Sequence, residues 1–172
     1  MLNAKVENAI NDQINAELYS SYLYVAMSNH CSQINLPGAA HWMRMQAVEE
    51  LTHVSKFSDY INDRQGTVTL GAIDAPPSSW DSPIAIFEKS YNHEVMVSGM
   101  INALVDVAMS VSDHATVNFL QWFVGEQVEE EASVDEIVQK LKLVGKSDGG
   151  IFMIDRELAG RALTLPPGSL GA

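Results

Sequence analysis

Apolar residues recur along this chain at alternating intervals of three and four, the period of helices with one face turned inward. Between about Lys5 and Cys31 there is no glycine or proline, and Ile10, Ile14, Glu17, Ser21, Tyr24 and Cys31 share one face. The break Asn35-Leu36-Pro37-Gly38 separates this helix from a second, predicted from about Gly38 to Arg64 and stopped by Gly66. Its stripe is Met43, Gln46, Glu50, His53, Phe57 and Tyr60. Ser82-Pro83 has the form of a cap followed by proline at the first helical position, and it opens a third helix with Phe87, Tyr91, Glu94, Ser98, Ile101, Val105 and Ala108 in line. Asp113 caps a fourth, which runs to Gly145 through Leu120, Phe123, Gln127, Glu130, Val134, Ile137 and Leu141. A shorter fifth helix is predicted from Ser147 or Asp148 to about Arg161, ahead of the Pro166-Pro167-Gly168 tail.

The stretch from Gly66 to about Asp81 is too rich in Pro and Ser to be helical, and an ordered link of that length suits a connection from one end of a bundle to the other. The expected fold is all-α. It is a single domain over residues 1–172, a four-helix bundle with a long crossover between helices two and three and a short fifth C-terminal helix. A chain of 172 residues that is 47% hydrophobic can bury one such core.

Every long stripe is interrupted near its middle by polar residues: Glu17, then Glu50 with His53, then Glu94, then Gln127 with Glu130. Glu50 and His53 are nearly one turn apart and point the same way. Taken alone, they are equally well read as a buried hydrogen-bonded pair or as metal ligands, and Tyr24 alone reads as a core aromatic with a satisfied hydroxyl. Four helices acting together change the balance, because converging buried carboxylates repel one another and need cations between them. Oxygen-rich ligation with one His suits iron or manganese better than zinc.

Charge and cysteine content narrow the partners. Ten Lys plus Arg against 22 Asp plus Glu give a formal charge of -12, which disfavours nucleic acid and anionic membranes. The single cysteine, Cys31, excludes an intrachain disulfide framework or a Cys-based zinc or iron-sulfur site, and it fits a reducing cytoplasm. The N-terminus lacks the pattern of a signal peptide, and no stretch has the length of a membrane span.

With these residues in place the chain resembles the bacterial non-haem ferritins over nearly its whole length. The resemblance is carried by Asn15-Ala16-Glu17-Leu18-Tyr19-Ser20-Ser21, Glu49-Glu50-Leu51-Thr52-His53, Asn92-His93-Glu94, and the run from Asn118 to Glu131 that contains Gln127-Val128-Glu129-Glu130. Inward carboxylates on the helices of a bundle are a known pattern of this superfamily. The resemblance implies iron storage, with a ferroxidase centre that oxidises Fe(II) with O2 or H2O2 and no haem. Carried over residue by residue, Glu17, Glu50 and His53 hold a first iron, Glu50 bridges to a second held by Glu94 and Glu130, and Gln127 contacts the centre through its amide. Glu49, Glu126 and Glu129, together with Glu130, match the acidic cluster of a third iron. Tyr24 matches the tyrosine beside the centre. Trp122 is an aromatic neighbour for which packing and electron donation both stand. His93 is read as a supporting or surface residue rather than a ligand, Glu131 as part of a solvated face, and His30, His41 and His114 carry no assignment.

The resemblance further implies a homo-oligomeric shell of twenty-four subunits, with the crossover at a two-fold interface and the fifth helix along a four-fold axis. Rival readings are a rubrerythrin-like or oxygenase-like di-iron catalyst, a haem-containing bacterioferritin, a DNA-protecting cage, and a purely structural bundle. The first two want Glu-x-x-His on the fourth helix, where this chain has Gln127-x-x-Glu130. The DNA-protecting cage wants a basic arm, which is missing here, and the fourfold interruption of the stripes disfavours a metal-free bundle.

Overall fold

The computed structural model describes residues 2–163, and the Pro166-Pro167-Gly168 tail lies outside them. Five helices follow one another: α1 (Ala4–Gln33), α2 (Pro37–Asp63), α3 (Pro83–Ser110), α4 (His114–Val144) and α5 (Asp148–Leu158). Each predicted helix is present with its ends displaced by a few residues. α5 ends at Leu158, so Arg161 lies past the helix instead of closing it.

Local chemistry sets the boundaries. The side chains of Asn3, Ser82, Asp113 and Ser147 accept hydrogen bonds from otherwise orphaned amides at the starts of α1, α3, α4 and α5. α2 has no such side chain and begins instead with Pro37, which has no amide proton to satisfy. The turns after α1, α2 and α3 use Asn35, Gln65 and Ser112 with φ near 60°. Gln65, and not Gly66, therefore takes the left-handed conformation that ends α2. Gly66 is small for another reason, since a Cβ there would lie 3.0 Å from the carboxylate of Glu7.

α1 and α2 form an antiparallel pair drawn close by small residues: Ser21 and Ser28 each donate to an α2 carbonyl, of Ala47 and Ala40, at 2.8 Å. α3 and α4 form the second pair. The crossover between the pairs is held along the outer face of α1. There Asn11 pairs with the backbone of Thr67 and Thr69, Asn15 donates to Ala72, and His30 donates to Trp80. These anchors, from Asn11 to His30, span about 30 Å of helix at 1.5 Å per residue. The link thus carries the chain back to the end of the bundle where α2 began, and α2 and α3 run parallel. Arg64 forks onto Asp113 at 3.0 and 3.2 Å, tying the end of α2 to the cap of α4.

The core is split in two. One apolar cluster, around Tyr24, Met27, Trp42 and Phe87, fills the end near α5, and another, around Ile10, Ile14, Phe57 and Phe123, fills the opposite end. Between them the polar interruptions of all four stripes meet.

Candidate metal centre

Glu17, Glu50, His53, Glu94, Gln127 and Glu130 are each at most 7% exposed. Helical phase explains their convergence: each stands in a stripe whose other members are mostly apolar and inward, so the side chain is carried into the core. Glu17, Glu50 and His53 offer ligand atoms that all lie within 4.8 Å of one another, as do His53, Glu126 and Glu130. His53 Nδ1 faces both neighbouring carboxylates, 3.3 Å from Glu50 Oε2 and 3.7 Å from Glu17 Oε2.

Glutamines and a tyrosine orient the carboxylates. Gln13 donates to Glu17 Oε1 at 2.8 Å, Gln46 donates to Glu130 Oε2 at 2.6 Å, and Gln127 donates to Glu94 Oε2 at 3.3 Å. The Tyr24 hydroxyl donates to Glu94 Oε1 and lies 2.9 Å from Ser90 Oγ. Glu17 Oε2 and Gln46 Oε1 are buried oxygens with no hydrogen-bond partner among the described residues. Unpaired buried acceptors at a focus of carboxylates are what a bound cation would satisfy.

The electrostatics show a site short of positive charge. Burial, reinforced by the charges of Glu94 and Glu17, pushes Glu50 well above the carboxylate range, against the pull of His53. Burial and then the charge of Glu130 push Glu94 up to about 8. For Glu17 burial also opposes ionisation, but the facing His53 imidazole, helped by the Gln13 amide, outweighs it and holds the group below its usual value. Burial likewise opposes the charged form of His53, yet Glu17 and Glu50 overcome it and raise the imidazole well above its ordinary range. A protonated imidazole and shared carboxyl protons thus do the neutralising that a metal ion would do. Tyr24 is raised far above the phenol range by burial and then by the charges of Glu94 and Glu50, so it stays protonated as a donor.

The outer acidic set divides. Glu126 and Glu130 join His53. Glu129 is exposed and belongs to neither group among the described residues. Glu49 is half-buried and its carboxylate is paired with Arg161. Burial and the charges of Glu130 and Glu126 lift Glu49 to about 7, despite the guanidinium.

Of the two places expected for His93, the structure takes the supporting one: it is buried, its Nε2 lies 2.8 Å from Ser20 Oγ, and burial with the charge of Lys89 lowers its pKa to about 4. Glu131 is only half solvated and accepts from Ser98. Trp122 sits edge-on to His53 at 5.6 Å between ring centroids, with Lys56 Nζ 4.3 Å over its indole. Gln13, Gln46 and Arg161 were not singled out from sequence as parts of the site. Gln13 lies one turn before Glu17, a spacing that signals its supporting role once the glutamate is known, whereas the contact of Gln46 with Glu130 has no such signal.

The comparisons with known proteins agree with this geometry. Residues 7–144 match the ferritin family, described as a ferritin-like domain. The bacterial non-heme ferritin of Bacteroides fragilis strain 638R is 45% identical over 161 residues, covering 94% of this chain and 100% of the relative. The bacterial non-heme ferritin of Escherichia coli O157:H7 is 40% identical over 159 residues, covering 92% of this chain and 96% of the relative. Among solved structures, an open-pore ferritin from the archaeon Archaeoglobus fulgidus superposes with a TM-score of 0.93 at 49% identity, over 94% of this chain and 99% of the other. The match reaches from α1 to the end of α4 and takes in every helix that supplies the buried layer, so the chain belongs to the ferritin family.

Proposed function

We propose that this chain is the subunit of an iron-storage ferritin, an oxidoreductase that takes Fe(II) as substrate, oxidises it to Fe(III) and deposits the product as ferric oxyhydroxide. The observation that carries the reading is the buried layer of carboxylates and one imidazole, drawn from all four long helices and short of positive charge. In this reading Glu17, Glu50 and His53 bind one iron, and Glu50, Glu94 and Glu130 bind a second. Gln127 and Tyr24 orient Glu94, while Gln13 and Gln46 orient Glu17 and Glu130. Glu126 and Glu130, extended by Glu49 and Glu129, form an outer position for a third iron. No haem takes part.

Two ferrous ions held side by side deliver two electrons to O2, which with two protons leaves as H2O2. A second pair of ferrous ions, with two further protons, reduces H2O2 to two waters. Hard carboxylate oxygens favour the ferric product and so drive the oxidation. The second position has no histidine, which makes it the weaker of the two and lets ferric iron move on to mineral. The subunits assemble as a homo-oligomeric cage, for which we propose twenty-four copies, working in the cytoplasm as one domain per chain.

Supplying two Fe(II) per chain in air to the metal-free protein should give a magnetically coupled ferric pair, seen by Mössbauer spectroscopy within seconds. Glu50→Ala, which removes the bridging carboxylate, should abolish the coupled pair while the particle still forms. A coupled pair that survives Glu50→Ala would place the oxidation elsewhere.

A further inference from the structure

We propose that Arg161 sets the affinity of the outer acidic cluster for a metal ion: its guanidinium holds the Glu49 carboxylate as a fixed internal cation, so the cluster gains Glu49 as a ligand only when Arg161 is displaced. The proposal rests on reading that cluster as the third iron position.

Arg161 is delivered to Glu49 by a built contact, not by chance of a long side chain. α5 is seated on the start of α2, where Asp155 Oδ1 accepts from the amide of Ala39 at 2.8 Å. Gly38 lets the two backbones touch, since a Cβ there would fall 1.6 Å from the Asp155 carbonyl oxygen. Beyond the helix, His41 Nε2 donates to the carbonyl of Arg161 at 2.8 Å, which fixes the backbone one turn past α5. The side chain then lies across Trp42, with Cζ 4.2 Å from the ring centroid, and ends on Glu49. It is 17% exposed, and Glu49 is 12% exposed.

A guanidinium is always charged and donates without accepting, so it can neutralise a carboxylate but never ligate a metal beside it. The outer position is lined by Glu126 and Glu130 with His53, while the neighbouring Glu49 carboxylate is already matched by Arg161. The remaining negative charge still draws cations, but an arriving ion meets Glu126, Glu130 and His53 and must compete with Arg161 for a further oxygen. Binding a third ion is thereby kept weaker than at the inner pair, which suits a position that ions pass through.

The test is calorimetric titration of the assembled, metal-free protein with Fe(II) under argon, and separately with Zn(II), counting ions per chain. The wild type should bind two ions tightly and a third weakly. Arg161→Met keeps the stem over Trp42 and removes the charge; it should tighten the third ion about tenfold, or about 1.4 kcal/mol. Arg161→Lys should keep the wild-type affinity, and adding Glu49→Gln to Arg161→Met should remove the gain. If Arg161→Met fails to assemble, Arg161→Gln carries the same expectation. A third ion bound equally by wild type and uncharged variant, or a gain that persists without Glu49, overturns the proposal and leaves the outer iron position standing. Two ions per chain in every variant would overturn both.

Discussion

At the scale of single residues, the centre is defined by what it costs to leave it without metal. Glu50 and Glu94 are carboxylic acids held above their ordinary range, Glu94 at about 8. In the metal-free fold they keep protons that an unfolded chain gives up above about 4.5. Their contribution to stability therefore falls as pH rises from that value through the folded one, where they are forced to ionise in a buried site. Metal binding must expel the same protons. Zn(II) binding at neutral pH should therefore release at least about one proton per chain, seen as a buffer-dependent heat. Below about pH 8 the affinity should fall at least about tenfold per pH unit, and Glu94→Gln should make that slope shallower by about one proton. A slope unchanged by Glu94→Gln would contradict the assignment of Glu94.

Much of this layer is legible from sequence, because Glu17, Glu50, Glu94 and Glu130 break stripes whose phase is otherwise apolar. What helical phase leaves open is pairing between elements. Nothing in a spacing of three or four says that Gln46 reaches across to Glu130, or that Arg161 returns over more than a hundred residues to Glu49. His93 shows the other limit: it is adjacent to Glu94 and off its stripe, yet it is buried because α1 covers that side of α3 as well, with Ser20 against its ring.

At the scale of elements, all five helices were readable because caps, proline and glycine punctuate the periodic runs. The ends shift by a few residues where backbone geometry, and not composition, decides them. Gln65, one residue before the Gly66 that was read as the stop, takes the positive φ that ends α2, and Leu158 ends α5 before Arg161. The crossover was recognised as irregular, but its path was hidden, since it depends on polar residues spaced along the outward face of α1. The seat of α5 on α2 is the sharpest structural constraint of this kind. Gly38→Ala forces a Cβ into the Asp155 carbonyl, and since both sides are backbone neither can yield by changing rotamer. We expect it to cost more than about 2 kcal/mol in denaturant unfolding and to speed amide exchange throughout α5. Unchanged exchange in α5 would mean the helix is held by something other than this contact.

At the scale of the whole molecule, two apolar clusters clamp the polar layer from both ends, so the site is rigid without contributing much to stability itself. The formal charge of -12 makes the outer surface attractive to cations in general, and the buried layer decides which of them react. The proposed cage of twenty-four subunits leaves no mark in a single chain's periodicity. The most direct test of storage therefore works on the assembled particle: adding Fe(II) in air at a large excess over subunits, while following ferric absorbance and particle mass together. The account predicts that hundreds of irons or more per particle are oxidised and remain soluble inside a shell whose mass rises with loading. Uptake that stops at two or three irons per chain would contradict it, leaving a di-iron catalyst in place of a store.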